Sequence, residues 1–187
     1  VCTRENKKLA RPSNGKAPER IAFIQCAGSR DVNHLPYCST VCCSASLKHA
    51  LILAEHYPGI KTEIFYIDLR LSGRNEKLLQ KAGQSDNITL TKGKVGRIGK
   101  GKREEGLILE VEDIMAGTRR IEPFDMVVLA TGLVPDKMLP VLATNQHGFC
   151  KTDQVPGIYP VGSSKRPMDV ASSVKDATAA SLKVMRI

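Results

Sequence analysis

The sequence predicts an α/β fold in which parallel strand–helix–strand units are joined to an antiparallel β-meander. Three observations lead to this prediction. A short apolar strand, an amphipathic helix and a second strand follow one another between residues 19 and 69. Short strands separated by glycine turns then indicate a meander between residues 94 and 124. A continuous apolar run at residues 125–132 predicts one more buried strand.

The first unit follows from local patterns. Residues 19–25 (ERIAFIQ) are mostly apolar and predict a buried strand. Residues 43–57 place apolar side chains at helical spacing, and Pro58 ends that helix. Residues 62–69 are rich in β-branched and aromatic side chains, which favours a second strand. Because strand–helix–strand connections are right-handed in nearly all sheets, we expect the two strands to be parallel.

The remaining elements are assigned in the same way. Residues 73–83 contain strong helix formers and end in glycine, which predicts a short helix. Residues 87–93 predict a third strand, and residues 133–156, with three prolines, are predicted to be irregular. The meander strands, a last strand and a last helix are predicted at residues 94–99, 106–113, 118–124, 157–164 and 170–185.

The composition fits a globular protein of one domain or slightly more, since the chain has 187 residues and 42% of them are hydrophobic. Its net charge of +9 is concentrated at residues 7–20 and 92–103. Only 4% of residues are aromatic and none is Trp, so nucleic-acid binding is not expected. Solvated loops, or docking onto acidic partner subunits, explain the charge better. No apolar stretch approaches the ~20 residues that a membrane span needs, so no direct membrane insertion is expected.

The most specific motif is a run with four cysteines in eighteen residues and the spacing C-x11-C-x3-C-C, formed by Cys26, Cys38, Cys42 and Cys43. The run lies between the first strand and the first helix, where a nucleotide-binding βαβ unit carries its glycine-rich phosphate loop. Gly28 is the only glycine in this run, so NAD(P) binding is not expected. A set of soft metal ligands takes the place of the phosphate loop.

Four thiolates that converge on one volume suit a [4Fe-4S] cluster or a tetrahedral zinc ion. Zinc sites usually pair their cysteines twice as C-x2–4-C, whereas this run has one such pair and a terminal CC, so the spacing favours iron–sulfur over zinc. The run also departs from the ferredoxin pattern. A disulfide switch between Cys42 and Cys43 is a weaker alternative, because adjacent cysteines form strained disulfides. Four packed apolar thiols are a further alternative.

Two sets of motifs resemble known flavoproteins. DMVVLATG, followed by GIYPVG and a small-residue helix, resembles the C-terminal portion of thioredoxin reductase-type flavoproteins, which have two dinucleotide-binding domains. The longer pattern IQCAGSRD…LPYCSTVCCSASLKHA…IFYIDLR…FDMVVLATGLVP resembles the heterodisulfide reductase A-subunit family. It resembles more strongly still a relative of that subunit, the A subunit of the quinone-interacting membrane-bound oxidoreductase of sulfur-metabolising microbes. The resemblance runs from about Arg11 to the C-terminus.

The resemblance implies which residues bind cofactors. In that family the four cysteines of this motif ligate a [4Fe-4S] cluster near the flavin. FAD contacts are implied at a strand end and at a later turn, namely at Ala130, Thr131, Gly132, Gly162 and Ser163. Two features depart from the family: the usual Gly-Asp of the turn is Gly-Ser here, and the G-x-G-x-x-G unit that holds the ADP half of FAD is absent. We therefore expect an incomplete FAD site and a chain that is a piece of a larger protein.

The resemblance also completes the fold prediction. Residues 1–18 are predicted to be a linker. Residues 19–124 are predicted to form a Rossmann-like, NAD(P)-binding-type domain with a parallel sheet, an antiparallel β-meander and the cysteine motif. Residues 125–187 are predicted to be the C-terminal remnant of an FAD-binding domain.

The implied function is electron transfer. The chain is expected to be a segment of an FAD/[4Fe-4S] oxidoreductase subunit that passes electrons between flavin and partner redox subunits in sulfur- or heterodisulfide-type energy metabolism. The expected partners are redox subunits of a membrane-associated complex, and the expected location is the cytoplasm, with any membrane attachment made through those partners. By itself the chain is not expected to be an active enzyme. The alternative function is a structural or docking module whose cysteines hold zinc or no metal.

Overall fold

A computed structural model describes residues 9–71, 73–101, 106–136, 142–152 and 154–185. The beginning of the predicted linker, residues 1–8, and the end of the second basic run, residues 102–103, lie outside the described residues. Contacts within the chain define two compact units. The first unit extends through Gly28 and resumes over Cys42–Thr131, and the second comprises Ser29–Val41 and Gly132–Ile187. The domain boundaries predicted from the sequence stay a prediction.

The first unit contains a six-stranded mixed sheet with two helices, which confirms the predicted α/β fold class. The elements of the chain are β1 (Arg20–Ile24), α1 (Cys42–His56), β2 (Lys61–Tyr66), α2 (Glu76–Gly83), β3 (Ile88–Lys100), β4 (Leu107–Asp113), β5 (Thr118–Phe124), β6 (Met126–Leu129) and α3 (Val170–Val184). The strand order in the sheet is β5-β4-β3-β2-β1-β6. Among the described residues, no helix combines the length and the apolar character that a membrane span requires.

Strand β3 connects the parallel and antiparallel halves of the sheet. Its first part pairs in parallel with β2, which in turn pairs in parallel with β1, and β1 with β6. From Gly93 onward β3 pairs antiparallel with β4, so the strand predicted separately at residues 94–99 continues β3. A Cβ atom at Gly93 would lie only 2.6 Å from the carbonyl oxygen of Glu112. Glycine at position 93 therefore allows the backbones of β3 and β4 to approach closely where β3 changes from parallel pairing with β2 to antiparallel pairing with β4.

Side chains of the sheet enter two separate hydrophobic cores. Along β1, Ile21 and Phe23 pack with α1 and α2, while Ala22 and Ile24 face the meander, as the two-residue period of a strand requires. The first core is completed mainly by residues of α1 and β2, namely Leu47, Ala50, Leu53 and Ile64. The second core contains Phe65, Leu109, Val111 and Phe124. Strands β1 and β2 are therefore buried on both faces, which explains the continuous apolar sequence of β1.

Charged side chains link strands of the first unit. Glu63, which is buried, accepts hydrogen bonds from Arg120 Nη2 and Thr91 Oγ1, each at 2.6 Å. Arg120 Nη1 donates to Glu122 Oε1 at 2.7 Å, and Arg20 Nη2 donates to Glu122 Oε2 at 2.7 Å. This charged network, formed by the five residues named above, connects β1, β2, β3 and β5 through charge-assisted hydrogen bonds.

The second unit contains the cysteine loop and the C-terminal part of the chain. The strand predicted at residues 157–164 is wrong: a short 3-10 turn forms at Gly162–Ser164 instead. A strand needs a neighbour for its backbone hydrogen bonds, and the described residues of this unit include no strand of the sheet. The predicted last helix forms as α3, and its N-cap residue Asp169 accepts a hydrogen bond from the Ser172 N–H at 2.6 Å.

Candidate cofactor site

The cysteine run has an unusual backbone. Cys26, Arg30 and Thr40 have φ angles of 55°, 60° and 59°, and they are the non-glycine residues with positive φ in the part of the chain that the structure describes. All three lie within the run from the first to the last cysteine. Left-handed backbone at non-glycine residues costs about 1–2 kcal/mol for each residue. Such strain is concentrated at functional sites in many proteins, and here it is confined to the predicted ligand loop.

Cys42 and Cys43 both belong to the first turn of α1, and Cys43 is buried. Helix α1 begins at Cys42 and therefore includes both cysteines. The turn of the chain comes earlier, at the left-handed residue Thr40. No acidic residue is present in the first turn of α1. The exposed N–H groups of a helix N-terminus favour negative charge nearby, so this position suits an anionic thiolate ligand set.

Cys38 receives a hydrogen bond within the second unit. The backbone N–H of Thr40 donates to its Sγ atom at 3.4 Å. The Thr40 hydroxyl in turn donates to the carbonyl oxygen of Pro167 at 3.3 Å. Hydrogen bonds to cysteine sulfur are one of the ways in which proteins set the potential of iron–sulfur clusters. The environment of Cys38 therefore fits a thiolate ligand.

The four predicted metal ligands are divided between the two units. Cys26, Cys42 and Cys43 lie in the first, and Cys38 lies in the second. Among the described residues, no group of three or more His, Cys, Asp or Glu side chains is arranged to hold a metal ion. The donor set itself fits an iron–sulfur cluster, because soft thiolates, a helix N-terminus and an N–H···S contact are present. The ligand assignment stays a prediction.

The cysteine loop is attached to the segment that follows β6 through groups that sequence reasoning missed. The Tyr37 hydroxyl donates to the carbonyl oxygen of Leu133 at 3.1 Å, and Ser39 Oγ accepts from the Leu133 N–H at 2.8 Å. Ser39 is buried, and its Oγ lies 3.4 Å from that of Ser29. Burial raises the pKa of Tyr37, so its hydroxyl remains a donor. The only feature of the sequence that pointed to Tyr37 and Ser39 was their position beside the cysteines.

Gly132, a predicted flavin contact, lies against the same serines. Its φ angle is 108°, which favours glycine. A Cβ atom there would overlap Ser29 Oγ and would lie 2.7 Å from Ser39 Oγ. The packing of the loop is therefore a sufficient reason for glycine at position 132, whether or not the residue contacts flavin. Its contact with flavin stays a prediction.

Ala130 and Thr131 continue the pairing of β1 and β6 beyond the strand ends. The Ala130 N–H donates to the carbonyl oxygen of Ile24 at 2.9 Å, and its own carbonyl oxygen accepts from the Ala27 N–H at 3.1 Å. The carbonyl oxygen of Thr131 lies 3.8 Å from the Cβ position of Gly28. Both residues therefore lie at the carboxyl ends of parallel strands, the edge where open α/β sheets bind ligands.

The turn at Gly162 and Ser163 contains an acidic partner that the sequence analysis did not predict. Asp176 of α3 accepts from the Gly162 N–H at 2.8 Å and from Lys165 Nζ at 2.7 Å. The hydrogen bond from Lys165 and then that from Gly162 hold the pKa of Asp176 below its usual range. Ser163 is exposed. The Gly162 amide is therefore already engaged, and the contact of this turn with flavin stays a prediction.

Comparison with known proteins finds homologues that cover most of this chain. No family model matches the chain. The second iron-sulfur A subunit of CoB–CoM heterodisulfide reductase from Methanopyrus kandleri is 35% identical over 92% of this chain, and the corresponding A subunit from Methanocaldococcus jannaschii is 33% identical over 91%. The chain is a homologue of the heterodisulfide reductase A subunits. It covers 29% and 28% of these two relatives, so the similarity concerns one segment of those proteins.

Solved structures confirm the fold of this heterodisulfide reductase homologue. Thioredoxin reductase from Lactococcus lactis superposes with a TM-score of 0.59 at 16% identity, covering 90% of this chain and 52% of that protein. Thioredoxin reductase from T. acidophilum gives a TM-score of 0.55 at 19% identity, covering 87% of this chain and 50% of that protein. The sheet is therefore of the thioredoxin reductase type, as the sequence motifs predicted.

Proposed function

We propose that this chain is the electron-transfer segment of an FAD/[4Fe-4S] protein of the heterodisulfide reductase type, with Cys26, Cys38, Cys42 and Cys43 as the cluster ligands. The hydrogen bond from the Thr40 N–H to Cys38 Sγ is the observation that supports it most directly. Homology to the heterodisulfide reductase A subunits supports a redox role. A cluster held by these cysteines would supply one-electron transfer.

The residues of the chain bind and shield such a cofactor. The four thiolates are the ligands, and the Thr40 amide stabilises negative charge on one of them. Cys43 is buried at the start of α1, so its sulfur is protected from water. Tyr37 and Ser39 hold the loop on either side of Cys38 by bonding the backbone of Leu133. These contacts restrict the loop before any metal binds, which lowers the entropic cost of binding.

Flavin is proposed to contact Ala130, Thr131, Gly132, Gly162 and Ser163. The first three lie at or directly after the sheet edge, but the turn at Gly162 is already bonded to Asp176. We therefore propose that this chain supplies part of a flavin site and binds FAD weakly by itself. NAD(P) binding is not proposed, because Gln25, Cys26 and Ala27 occupy the place of a glycine-rich phosphate loop.

The proposed partners are redox subunits of a membrane-associated complex located in the cytoplasm. The relatives are named as subunits of heterodisulfide reductases, which supports assembly with further subunits. The described part of the second basic run is exposed at Lys92, Lys94, Arg97 and Lys100, so it offers cations to an acidic redox partner. Function in a quinone-interacting complex is the finer proposal drawn from the sequence resemblance.

Anaerobic purification followed by iron and acid-labile sulfide analysis tests the cluster proposal. We expect about four irons and four sulfides for each chain, together with a broad visible absorption shoulder. Cys38→Ser should abolish that absorption. Cys150→Ser is the matched control, because Cys150 is a buried cysteine of the same unit outside the motif, and it should retain the cluster. Stoichiometric zinc without visible absorption would support the docking-module alternative instead.

A further inference from the structure

The side chain of Gln25 is buried and lacks a hydrogen-bond partner. The residue directly precedes Cys26, the first proposed cluster ligand, and is only 5% exposed. Among the described residues, none forms a hydrogen bond with its side-chain nitrogen or its side-chain oxygen. Buried amides are nearly always hydrogen-bonded, because an unsatisfied one destabilises the fold. The unpaired amide therefore points to a partner that the polypeptide itself does not supply.

The pairing of β1 places this amide on the helix side of the sheet. The Gln25 N–H donates to the carbonyl oxygen of Phe65 at 2.9 Å, so Gln25 continues the ladder between β1 and β2. Side chains alternate between the two faces along a strand. Ile21 and Phe23 pack with residues of α1, and by this alternation the side chain of Gln25 projects toward the same layer.

The first turn of α1 lies in that layer, at the same end of the sheet. In a parallel strand–helix–strand unit the helix begins beside the carboxyl end of the first strand. Helix α1 begins at Cys42, and Cys43 is buried in its first turn. Cys26 follows Gln25 directly, and its φ angle of 55° turns the chain at the end of β1. Within the first unit, the unpaired amide therefore lies at the end of the sheet that carries three proposed ligands.

The sulfur atoms of an iron–sulfur cluster have the hydrogen-bonding capacity that this amide lacks. A carboxamide nitrogen donates two hydrogens, whereas thiolate and sulfide sulfurs accept hydrogen bonds. Both polar atoms of the Gln25 side chain are closed off from solvent, so only a group held inside the fold can reach them. The nitrogen, as the donor, is the atom that faces an acceptor of this kind.

We propose that Gln25 Nε2 donates a hydrogen bond to a sulfur of the cluster and thereby raises its reduction potential. This inference rests on the proposed function, because it requires the cluster. The N–H group stabilises the negative charge that one electron from a redox partner adds to the sulfur ligands, and no proton is transferred. The same contact explains why the fold retains an amide that the polypeptide leaves unpaired.

Redox titration of the anaerobically loaded full chain tests this contact. Gln25→Leu replaces the amide by an apolar side chain of similar size, and it should still bind about four irons because Gln25 is not a ligand. The equilibrium constant for one-electron reduction should fall about tenfold, which lowers the potential by about 59 mV. An unchanged potential would overturn the inference while leaving the proposed cluster intact.

Thr62→Val is the matched control. Thr62 is a buried polar residue on the helix side of β2, and it pairs with Ile21, about 13 Å from Gln25 along the strands. The variant removes a buried polar group from the same layer but at the other end, so it should leave the potential unchanged. A fall as large as that in Gln25→Leu would contradict a direct contact, because a general effect of burial would then explain both.

Isotope labelling identifies the donor atom. Glutamine that carries ¹⁵N only in its side-chain amide should give a nitrogen hyperfine coupling in the pulsed EPR spectrum of the reduced, loaded chain. Gln25→Leu should remove that coupling. The other glutamines stay labelled in the variant and serve as the internal control. A coupling that is absent from the unmodified chain, or that persists in the variant, would overturn the inference.

Thermal unfolding gives a readout that does not depend on the redox chemistry. In the metal-free chain Gln25→Leu should raise the melting temperature, because it removes an unpaired buried amide. Loading should raise the melting temperature of the unmodified chain more than that of the variant, because only the unmodified chain gains the hydrogen bond. Equal rises would contradict the inference. An unmodified chain that binds neither iron nor sulfide would overturn the proposed function together with this inference.

Discussion

Gly132 shows how one position can satisfy two different requirements. The resemblance assigns it to flavin, but within the second unit its missing side chain makes room for Ser29 and Ser39. Its positive φ angle is a separate reason for glycine. The cysteine loop therefore packs beside the segment after β6 in space that a Cβ atom at this residue would occupy.

Substitution of Gly132 should measure that packing. Gly132→Ala is expected to lower the free energy of unfolding by about 3 kcal/mol, from backbone strain together with overpacking. Gly157→Ala is the matched control, because Gly157 also has a positive φ angle, 81°, but no atom lies within 4 Å of its Cβ position. It should cost about 1 kcal/mol. Urea denaturation checks both values, and equal losses would show that the serines do not restrict this position.

Residue-level features were predictable where the chemistry is local. The cysteine motif and its position after the first strand were readable, because spacing and hydrophobic pattern are properties of the sequence. The left-handed conformation of Thr40 was not, because threonine rarely adopts it without support from its surroundings. The unsatisfied amide of Gln25 was also not predictable, because burial of one side chain depends on distant strands.

At the scale of elements, the charged network explains how β5 is held to the parallel strands. Glu122 receives hydrogen bonds from Arg20 of β1 and Arg120 of β5, while Arg120 continues to Glu63 of β2. The hydrogen bond from Arg20 is the largest cause that lowers the pKa of Glu122, and that from Arg120 adds to it. Glu122 therefore stays ionised in the folded chain at pH values where it would be protonated in the unfolded chain.

The lowered pKa of Glu122 predicts a stability that depends on pH. Because the folded pKa lies below the ordinary value of 4.5, the stabilisation is complete above that value and is lost as the pH falls through the folded pKa. Glu122→Gln, which resembles the protonated form, should reduce the free energy of unfolding by about 1 kcal/mol at neutral pH. The difference should shrink as the pH falls below 4.5.

Urea denaturation across this pH range provides the measurement. Glu110→Gln is the control, because Glu110 is largely exposed and contacts Arg97 at 3.5 Å. It should change stability little at any pH. A loss in Glu122→Gln that stays constant down to the most acidic pH would contradict the network as the cause.

Elements with their own periodic signal were predicted well. Helices α1, α2 and α3 begin and end within about three residues of the predicted limits, because apolar spacing, glycine and proline define them locally. The strand at residues 157–164 was wrong because a strand depends on a partner that the sequence pattern does not reveal. Strand β3 was predicted too short because the hydrophobic pattern changes after residue 93, where its pairing changes from parallel to antiparallel.

At the scale of the whole molecule, the chain passes between the two compact units three times, at residues 28–29, 41–42 and 131–132. The proposed cluster ligands are divided between the units, with Cys38 in one and the other three in the other. Metal binding stabilises whichever folded form supplies the ligands. Loading should therefore affect the stability of both units.

Thermal unfolding of anaerobically loaded and metal-free protein tests this expectation. The loaded chain should melt several degrees higher, because ligand binding to the folded state adds to its stability. Cys38→Ser treated with the same iron and sulfide should melt at the temperature of the metal-free chain. A rise of the same size in Cys38→Ser would show that the second unit contributes no ligand.

Asp176 accepts a hydrogen bond from the Gly162 amide and so places a carboxylate at the turn formed by Gly162–Ser164. The hydrogen bond from Lys165 lowers the pKa of Asp176 and keeps its carboxylate ionised. This carboxylate already accepts the hydrogen bond of the Gly162 N–H group, to which an incoming anion would otherwise bind. The Lys165 ammonium balances that charge, so the turn is closed by an ion pair of its own. An anion could reach the Gly162 amide only after Asp176 had left it, whereas the fold by itself keeps the amide satisfied.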